Sequence, residues 1–313
     1  MLYGALRAAR SAPYVIVVGN GKGGSGKTTL AMHVAIGLLK AGQRVGTLDL
    51  DADQRSLTCY VENRHIWANH LRIELEVPQH RHIAAACGLR ADENEAEELG
   101  WLQEAIGGFE SCCDFLVIDT PSHDSYLMRV AHLAADTIVT PLQDSFLDLC
   151  ALGLVDPVTH EITQTGHYAA MVCAARKRRR QLDPGFIDWI VVRNRACETS
   201  LVKHDLYELG LRVGFRDAEG CAERAVYRQL FPLGLTAFDA GDLTAEVCLN
   251  EDAHLAAQRE MQALLDRLQL PVSERGLRRA AARSEWLMRK EAPLAVDDIL
   301  ADEPLLPTEQ ASH

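Results

Sequence analysis

Short apolar segments rich in β-branched residues recur along the chain, separated by longer stretches of mixed polarity. The first, Tyr14–Val18, ends at Gly19 and leads directly into a glycine-rich turn. From Lys27 to Leu39 the apolar residues recur every three or four positions and Gly42 follows, which is the pattern of a helix and its end. Similar apolar segments predict four further strands, at residues 44–50, 115–119, 137–142 and 187–192. Strands that alternate with helices predict an α/β fold, a doubly wound and mainly parallel sheet with helices on both faces.

Composition indicates one large folded domain with appended ends. The 313 residues are 48% hydrophobic and 24% charged, values typical of globular proteins, which excludes wholesale disorder. The net charge of −12 excludes a generally basic nucleic-acid coat protein. We expect an N-terminal extension at residues 1–13, a main domain at 14–270 that closes with a helix at 254–268, and a C-terminal segment at 271–313. That segment combines a basic amphipathic helix with an acidic tail that we expect to be disordered.

The cysteines and the hydropathy of the chain indicate the cellular compartment in which the protein resides. Nine scattered cysteines form no C-x-x-C pair, so we expect reduced, buried thiols. No apolar run approaches the length of a bilayer span, and residues 1–13 lack a long apolar core. These features predict a soluble cytoplasmic protein.

Residues 21–28 carry the pattern G-x-x-x-x-G-K-[ST] between the first predicted strand and the first predicted helix. Glycines let successive backbone N–H groups point at phosphate oxygens, and the following helix adds the positive end of its dipole. In such loops the lysine, here Lys27, reaches the β- and γ-phosphates, and the hydroxyl of Thr28 binds Mg²⁺. Asp119 ends the apolar strand FLVID as a magnesium-side carboxylate, and the γ-phosphate would be sensed by the loop 120–124. The predicted site for ATP and Mg²⁺ comprises Gly21, Lys22, Gly23, Gly24, Ser25, Gly26, Lys27, Thr28, Thr29 and Asp119.

An additional lysine and a pair of aspartates narrow the class of nucleotide-binding protein. Lys22 lies inside the glycine loop, and the second predicted strand closes with Asp49-Leu-Asp51. The chain in this respect resembles the deviant Walker A ATPases of the ParA and MinD superfamily of P-loop NTPases. The resemblance implies that Lys22 reaches the phosphates of the partner in an ATP-bound homodimer, and that Asp51 positions the attacking water. Both roles suit phosphoryl transfer, which depends on placed positive charge and an oriented nucleophile.

Downstream stretches resemble one family within that superfamily, MipZ. They are residues 140–148 (TPLQDSFLD), 188–195 (DWIVVRNR), 212–216 and 225–236. The resemblance implies that Asn194 contacts the adenine base. It further implies a division-site switch: an ATP-bound dimer that binds chromosomal DNA without sequence preference and inhibits polymerisation of the tubulin-like FtsZ, while the centromere-binding protein ParB recruits monomers. Slow hydrolysis would reset the cycle, and the protein would be nucleoid-associated with a bias toward the cell pole.

Three other functions are compatible with the same scaffold. A ParA- or MinD-like ATPase can position another cargo, such as DNA, a plasmid or a membrane cluster. A redox enzyme like the nitrogenase iron protein needs paired cysteines facing a cluster, and none flanks residues 119–124. A nucleotide-binding scaffold without turnover has no need of Lys22 or Asp51.

Three charged segments also have alternative interpretations. The run Arg176–Arg180 is either a contact to nucleic acid or a solvated loop, and the acidic segment 91–98 is a solvated helix or loop. In residues 277–290 the apolar face is mostly alanine, so we expect a docked helix or a solvated tail rather than a membrane anchor.

Overall fold

The computed structural model describes residues 12–156, 159, 161–182, 185–195, 203–239 and 250–273. The strands within these ranges are β1 Tyr14–Val18, β2 Val45–Asp49, β3 Gln79–His82, β4 Phe115–Asp119, β5 Thr137–Gln143, β6 Gly153–Val155, β7 Ile162–Thr165, β8 Asp188–Asn194 and β9 Arg216–Glu219. The helices are α1 Lys27–Lys40, α2 Ser56–Leu71, α3 Ala91–Gly107, α4 Tyr126–Ala134, α5 Phe146–Leu149, α6 His167–Leu182, α7 Lys203–Val213, α8 Ala225–Leu230 and α9 Glu251–Leu268. A 3₁₀ turn, Phe231–Leu233, follows α8.

Seven of these strands form one parallel sheet in the order β3-β2-β4-β1-β5-β8-β9. The remaining two, β6 and β7, form an antiparallel hairpin. In the main sheet Asp119 is in register with both Val18 and Asp49. The carboxyl ends of β1, β2 and β4 therefore meet at one edge of the sheet, which is where ligands bind in open α/β sheets.

Apolar side chains cover both faces of the main sheet. One core joins the sheet to α3, α4, α6 and α7, and the other joins it to α1, α2, α8 and α9. Strands β2 and β4 are buried at every position, which explains why β4 is continuously apolar until its terminal aspartate and why β2 has only one polar residue, Thr47, before its own. The doubly wound, mainly parallel α/β fold predicted from the alternating pattern is confirmed.

The five predicted strands are found within two residues of their predicted ends, and the helices that begin at Lys27 and end at Leu268 are found as well. Two strands of the main sheet were not predicted. They lie at its two edges and have the polar sequences QHRH (β3) and RDAE (β9), whose side chains are mostly at least partly exposed. An edge strand is not buried on both faces, so it lacks the apolar run on which the prediction depended.

Two expectations about charged segments and cysteines are corrected by the structure. The run Arg176–Arg180 is not a loop, because it lies within α6; Arg179 is buried there and donates to the carbonyl oxygens of Leu133 and Ala135 at 2.9 and 3.2 Å. The acidic segment 91–98 opens α3. The cysteines of the described part of the chain are free, as expected, but Cys59, Cys87 and Cys150 are exposed rather than buried.

Several expectations concern residues outside the described ranges. These are most of the N-terminal extension (1–11), the basic amphipathic helix and acidic tail within 274–313, and Cys197 and Cys248. Among the helices that are described, none combines the length and the apolar character needed to cross a bilayer.

Candidate functional site

The glycine loop lies between β1 and α1 and depends on left-handed backbone at two glycines. Gly24 has φ of 72° and Gly26, which precedes the first residue of α1, has φ of 93°. A Cβ at Gly26 would also collide with the amide nitrogen of Asn194. Because L-residues rarely adopt these angles and the space is already filled, a side chain at Gly26 would displace the loop. Thr29, the last member of the predicted set, lies in the first turn of α1.

Lys27 is buried at the centre of the loop. Its ammonium donates to the carbonyl oxygen of Lys22 at 3.0 Å and to the hydroxyl of Ser122 at 2.9 Å. Burial lowers the pKa of Lys27, and the carboxylates of Asp119 and Asp51 oppose that shift. The ammonium thus joins the glycine loop to the loop after β4, where a phosphate oxygen would find it prepositioned.

Thr28 and Asp119 meet as the sequence predicts. The Thr28 hydroxyl donates to Oδ2 of Asp119 at 2.6 Å, whereas Oδ1 of Asp119 is buried without a hydrogen-bond partner. Burial raises the pKa of the Asp119 carboxyl to about 7; the Thr28 hydrogen bond and Lys27 oppose the shift, and Asp49 and Asp51 add to it. An orphaned buried carboxylate oxygen beside a hydroxyl is the donor set that a hard divalent cation such as Mg²⁺ prefers, so these residues fit that ion.

A cavity of about 220 Å³ lies against this loop. Asp51 lines it and is 9% exposed; its backbone N–H donates to Asp49 at 3.0 Å, and its own Oδ1 accepts from the N–H of Gln54 at 3.0 Å. The other lining residues are Gly24, Gly26, Lys27, Thr28, Thr29, Gln54, Thr120, Ser122 and Arg195. Five of the ten predicted ATP- and Mg²⁺-site residues thus line one cavity, together with Asp51.

Lys22 does not line that cavity. Its ammonium forms an ion pair with Asp148, a side chain of the short helix α5 that is 1% exposed, while the Lys22 side chain itself is 40% exposed. Asn20 holds the backbone of Lys22 by accepting its N–H at 3.0 Å. Sequence reasoning did not single out Asp148, because the two residues are 126 positions apart and no local pattern connects them.

Asn194 lies at the end of β8 and contacts the glycine loop directly. Its amide nitrogen donates to the carbonyl oxygen of Ser25 at 2.8 Å, and its Oδ1 accepts from the N–H of Arg195 at 3.1 Å. A second cavity, of about 260 Å³, opens beside it. Its lining joins Gly26 and Thr29 to Leu30, Val192, Asn194, Arg195, Cys221, Ala222, Glu223, Arg224, Tyr227, Arg228, Phe231 and Met261.

Gly26, Thr29 and Arg195 line both cavities, so the second is a continuation of the phosphate cavity. Its mixed apolar and polar wall suits a nucleoside. Of that wall, sequence reasoning assigned a role only to Asn194 beyond the glycine loop itself. The segment 221–231 reaches the cavity by tertiary packing, and although residues 225–236 resemble MipZ, no pattern there indicates a contact to the nucleotide.

The cysteines that the structure describes do not form a site at this edge. Cys112 and Cys113 precede β4 and so lie at the amino end of the strand whose carboxyl end carries Asp119. Cys150 follows α5 and is exposed. Among the described residues the structure therefore does not place paired cysteines beside the glycine loop.

Comparison with known proteins places the chain in a family. The profile of the family described as ATPase MipZ matches residues 14–272. A curated relative, maintenance of carboxysome distribution protein A of Gloeobacter kilaueensis, is 35% identical over 143 residues, which are 45% of this chain and 55% of that protein. The chain thus matches only about half the length of that curated relative.

The chain is also similar to solved structures. A plasmid partition protein of Borrelia burgdorferi B31 bound to AMPPNP has a TM-score of 0.50 and 18% identity, over 82% of this chain and 99% of that one. An ATP complex of McdA from Cyanothece has a TM-score of 0.47 and 16% identity, over 81% of this chain and 97% of that one. With the family profile covering most of the sequence, the chain belongs to the MipZ family of ATPases.

Proposed function

We propose that this ATPase is a dimerisation switch that positions the division site by inhibiting FtsZ polymerisation away from midcell. The ATP-bound form pairs with a second copy, ParB recruits the monomer, and slow hydrolysis returns the dimer to monomers. The observation that carries the proposal is the placement of Lys22. In a single chain this lysine is held outside the phosphate cavity by Asp148, yet its side chain is partly exposed, so it is available to a second copy.

Within one chain, different residues would contact different parts of the nucleotide. Lys27 would neutralise charge on the β- and γ-phosphates, and Thr28 and Asp119 would hold Mg²⁺, which supplies further charge neutralisation when bound. Asp51, on the wall of the phosphate cavity with one oxygen free of the Gln54 hydrogen bond, would orient the attacking water. Asn194 would face the adenine and keep the strand that carries it attached to the glycine loop.

The segment 193–228, where the resemblance would place non-specific DNA binding, has little free positive charge. Several basic residues of the segment 193–228 are neutralised within the fold: Arg193 pairs with Glu219 at 3.0 Å, Arg216 with Asp188 at 2.5 Å and Arg224 with Glu260 at 2.6 Å. On α6, Lys177, Arg178 and Arg180 remain exposed. Because affinity for duplex phosphates grows with the number of neutralised charges, we expect DNA binding only from the dimer, which doubles them.

The test is sedimentation of FtsZ polymers in the presence of this protein with ATP or with ADP. We expect loss of polymer only with ATP and only with intact Lys22, since Lys22→Ala removes the contact that the dimer needs. Sedimentation velocity of the same samples reports dimer formation independently. Polymer that is unaffected in every condition, although ATP produces a dimer, would contradict the FtsZ part and leave the ATPase switch in place.

A second candidate is an ATPase of the same type that positions another cargo. The 35% identity to a carboxysome-distribution protein over 143 residues favours it. Affinity capture from cells of the ATP-locked Asp51→Ala form separates the two, because a division regulator retains FtsZ and a cargo ATPase retains a different adaptor. Lys22→Ala, which cannot complete the dimer, is the matched negative control.

A further inference from the structure

Asp49 ties together both ends of the loop that carries Asp51. Its carboxylate is fully buried at the end of β2, and its Oδ1 accepts the backbone N–H of Asp51 at 3.0 Å. Its Oδ2 accepts both the backbone N–H and the hydroxyl of Thr58, in the first turn of α2, at 2.9 and 2.8 Å. One buried carboxylate therefore fixes where the Asp51 loop begins and where it ends.

The tied loop carries backbone strain. Arg55, which precedes α2, has φ of 48°, in the left-handed region that a long side chain seldom occupies. Its N–H donates to the carbonyl oxygen of Asp51 at 3.0 Å. Strain of this kind persists only where the surroundings hold the backbone in place, and it is frequent at functional sites. The contacts that Asp49 makes are those surroundings.

His80, on the edge strand β3, completes a chain of hydrogen bonds to this carboxylate. Its Nε2 lies 3.0 Å from the Thr58 hydroxyl, and its Nδ1 lies 3.0 Å from the hydroxyl of Thr47 on β2. The ring thus spans the gap between α2 and the sheet. Burial lowers the pKa of His80 to about 4, with Asp49 opposing the shift, so the ring is neutral near pH 7.

The donors and acceptors allow one consistent arrangement of protons. A carboxylate only accepts, so the single hydroxyl proton of Thr58 is directed to Asp49. The Thr58 oxygen must then accept from Nε2–H of His80, which leaves Nδ1 as the acceptor of a neutral ring and Thr47 as its donor. The order of donation is Thr47 to His80 to Thr58 to Asp49, and Asp49 in turn accepts from Asp51.

We propose that His80 and Thr58 are positioning residues for ATP hydrolysis, acting through Asp49 to hold Asp51 at the distance that an in-line water requires. The inference rests on the proposed function of Asp51 and deepens it. Neither His80 nor Thr58 lines the phosphate cavity, so neither touches the nucleotide. Their contribution is to restrict the backbone that carries the water-orienting carboxylate, where an error of about 1 Å can cost about 100-fold in rate.

The experiment compares substitutions that keep or remove the relevant atom. Thr58→Val removes the hydroxyl at nearly constant shape, and Thr58→Ser restores it. His80→Asn is too short to reach Thr58, whereas the amide nitrogen of His80→Gln can take the place of Nε2. We expect Thr58→Val and His80→Asn to lower kcat about tenfold, with KM changed less than about twofold. Thr58→Ser and His80→Gln should recover most of that loss in kcat. His65→Asn, on an exposed position of α2, is the control.

Three further measurements separate a positioning role from a general loss of folding or of dimerisation. Sedimentation with a slowly hydrolysed ATP analogue should show that Thr58→Val and His80→Asn dimerise as the wild type does. Thr58→Val should have no further effect on kcat in the Asp51→Ala background, because its action passes through Asp51. Thermal unfolding should show that the variants with lower kcat do not have a correspondingly lower Tm.

The outcomes distinguish this inference from the proposed function. If Asp51→Ala hydrolyses ATP normally, the proposed role of Asp51 fails and this inference fails with it. If Asp51→Ala is impaired but Thr58→Val and His80→Asn keep their kcat, only the relay is overturned. The relay would likewise be overturned if Thr58→Ser and His80→Gln failed to recover kcat, or if the loss of kcat accompanied loss of the dimer.

Discussion

The ammonium of Lys22 has two alternative contacts and cannot make both at once. In the single chain it pairs with the buried carboxylate of Asp148, and in the proposed dimer it contacts the phosphates bound to the partner. Dimerisation therefore breaks an ion pair and leaves Asp148 buried without its counterion, which is unfavourable. Asp148→Asn removes the ion pair and the buried charge in both copies. With each ion pair worth about 1 kcal/mol, we expect the ATP-dependent dimer of this variant to have a Kd lower by about thirtyfold.

Sedimentation velocity over a range of protein concentrations, with a slowly hydrolysed ATP analogue, measures that Kd. Asp252→Asn, an exposed carboxylate in the first turn of α9, makes the same change of charge at a distance from the site and should leave the Kd as it is. A dimer of Asp148→Asn that is weaker than the wild-type dimer would show that Asp148 supports the dimer instead of competing with it.

Individual residues were predictable where the chemistry is local in sequence. The eight residues 21–28 carry the spacing of a phosphate loop by themselves, and Asp119 follows its strand directly, so both could be found without tertiary information. Asp148, the partner of Lys22, could not be found in this way, and neither could Thr58 or His80. Their roles depend on side chains brought together from separate elements, and an isolated aspartate, threonine or histidine has no distinguishing pattern.

At the scale of elements the same reasoning explains which strands were missed. Inner strands such as β4 are buried on both faces, and the run of apolar residues that this requires is visible in the sequence. The edge strands β3 and β9 face solvent in part and carry charged or polar residues, which also discourages pairing with other chains. His80 lies on β3, so the missed strand is the one that carries the proposed positioning residue.

Helix α1 is fixed to a distant segment through a buried histidine, and this contact makes the fold sensitive to acid. His33 Nδ1 lies 2.7 Å from the carbonyl oxygen of Thr29, and Nε2 accepts the backbone N–H of Ala237 at 3.1 Å. A protonated ring would turn Nε2 into a donor facing another donor. Burial, the largest cause, lowers the pKa of His33 from 6.5 to about 4.

Because the folded-state pKa of His33 is below the unfolded-state value, the unfolded chain binds more protons between pH 6.5 and 4, and stability falls as the pH falls through that window. From pH 7 to about pH 5 we expect this residue alone to lower the free energy of unfolding by about 2 kcal/mol. His33→Gln keeps an acceptor near the Nε2 position and does not titrate, so denaturant unfolding of this variant should depend less steeply on pH. Equal slopes for the two proteins over that range would contradict the assignment.

At the scale of the whole molecule, the net charge predicts that added salt affects dimerisation and DNA binding in opposite directions. Each chain carries a formal charge of −12, so two copies repel each other as they approach, and each also repels DNA as a whole. The contacts proposed to overcome this repulsion are local. In the dimer they are Lys22 against phosphates in a water-excluded interface, which salt screens only weakly; on DNA they are exposed basic side chains, which salt screens strongly.

Raising the salt concentration from about 50 to about 300 mM shortens the Debye length from about 14 to about 6 Å, which removes most of the long-range repulsion between copies. We therefore expect the ATP-dependent dimer to tighten, or at least not to weaken, while DNA binding falls steeply. Sedimentation velocity and DNA-binding anisotropy in the same buffers measure both, with Lys22→Ala as a monomeric reference. Because DNA binding is proposed only for the dimer, its loss at high salt while the dimer persists would locate the salt-sensitive step in the basic surface. If dimer and DNA binding weakened together, exposed ion pairs would have to hold the dimer, and the buried Lys22 contact would no longer account for it.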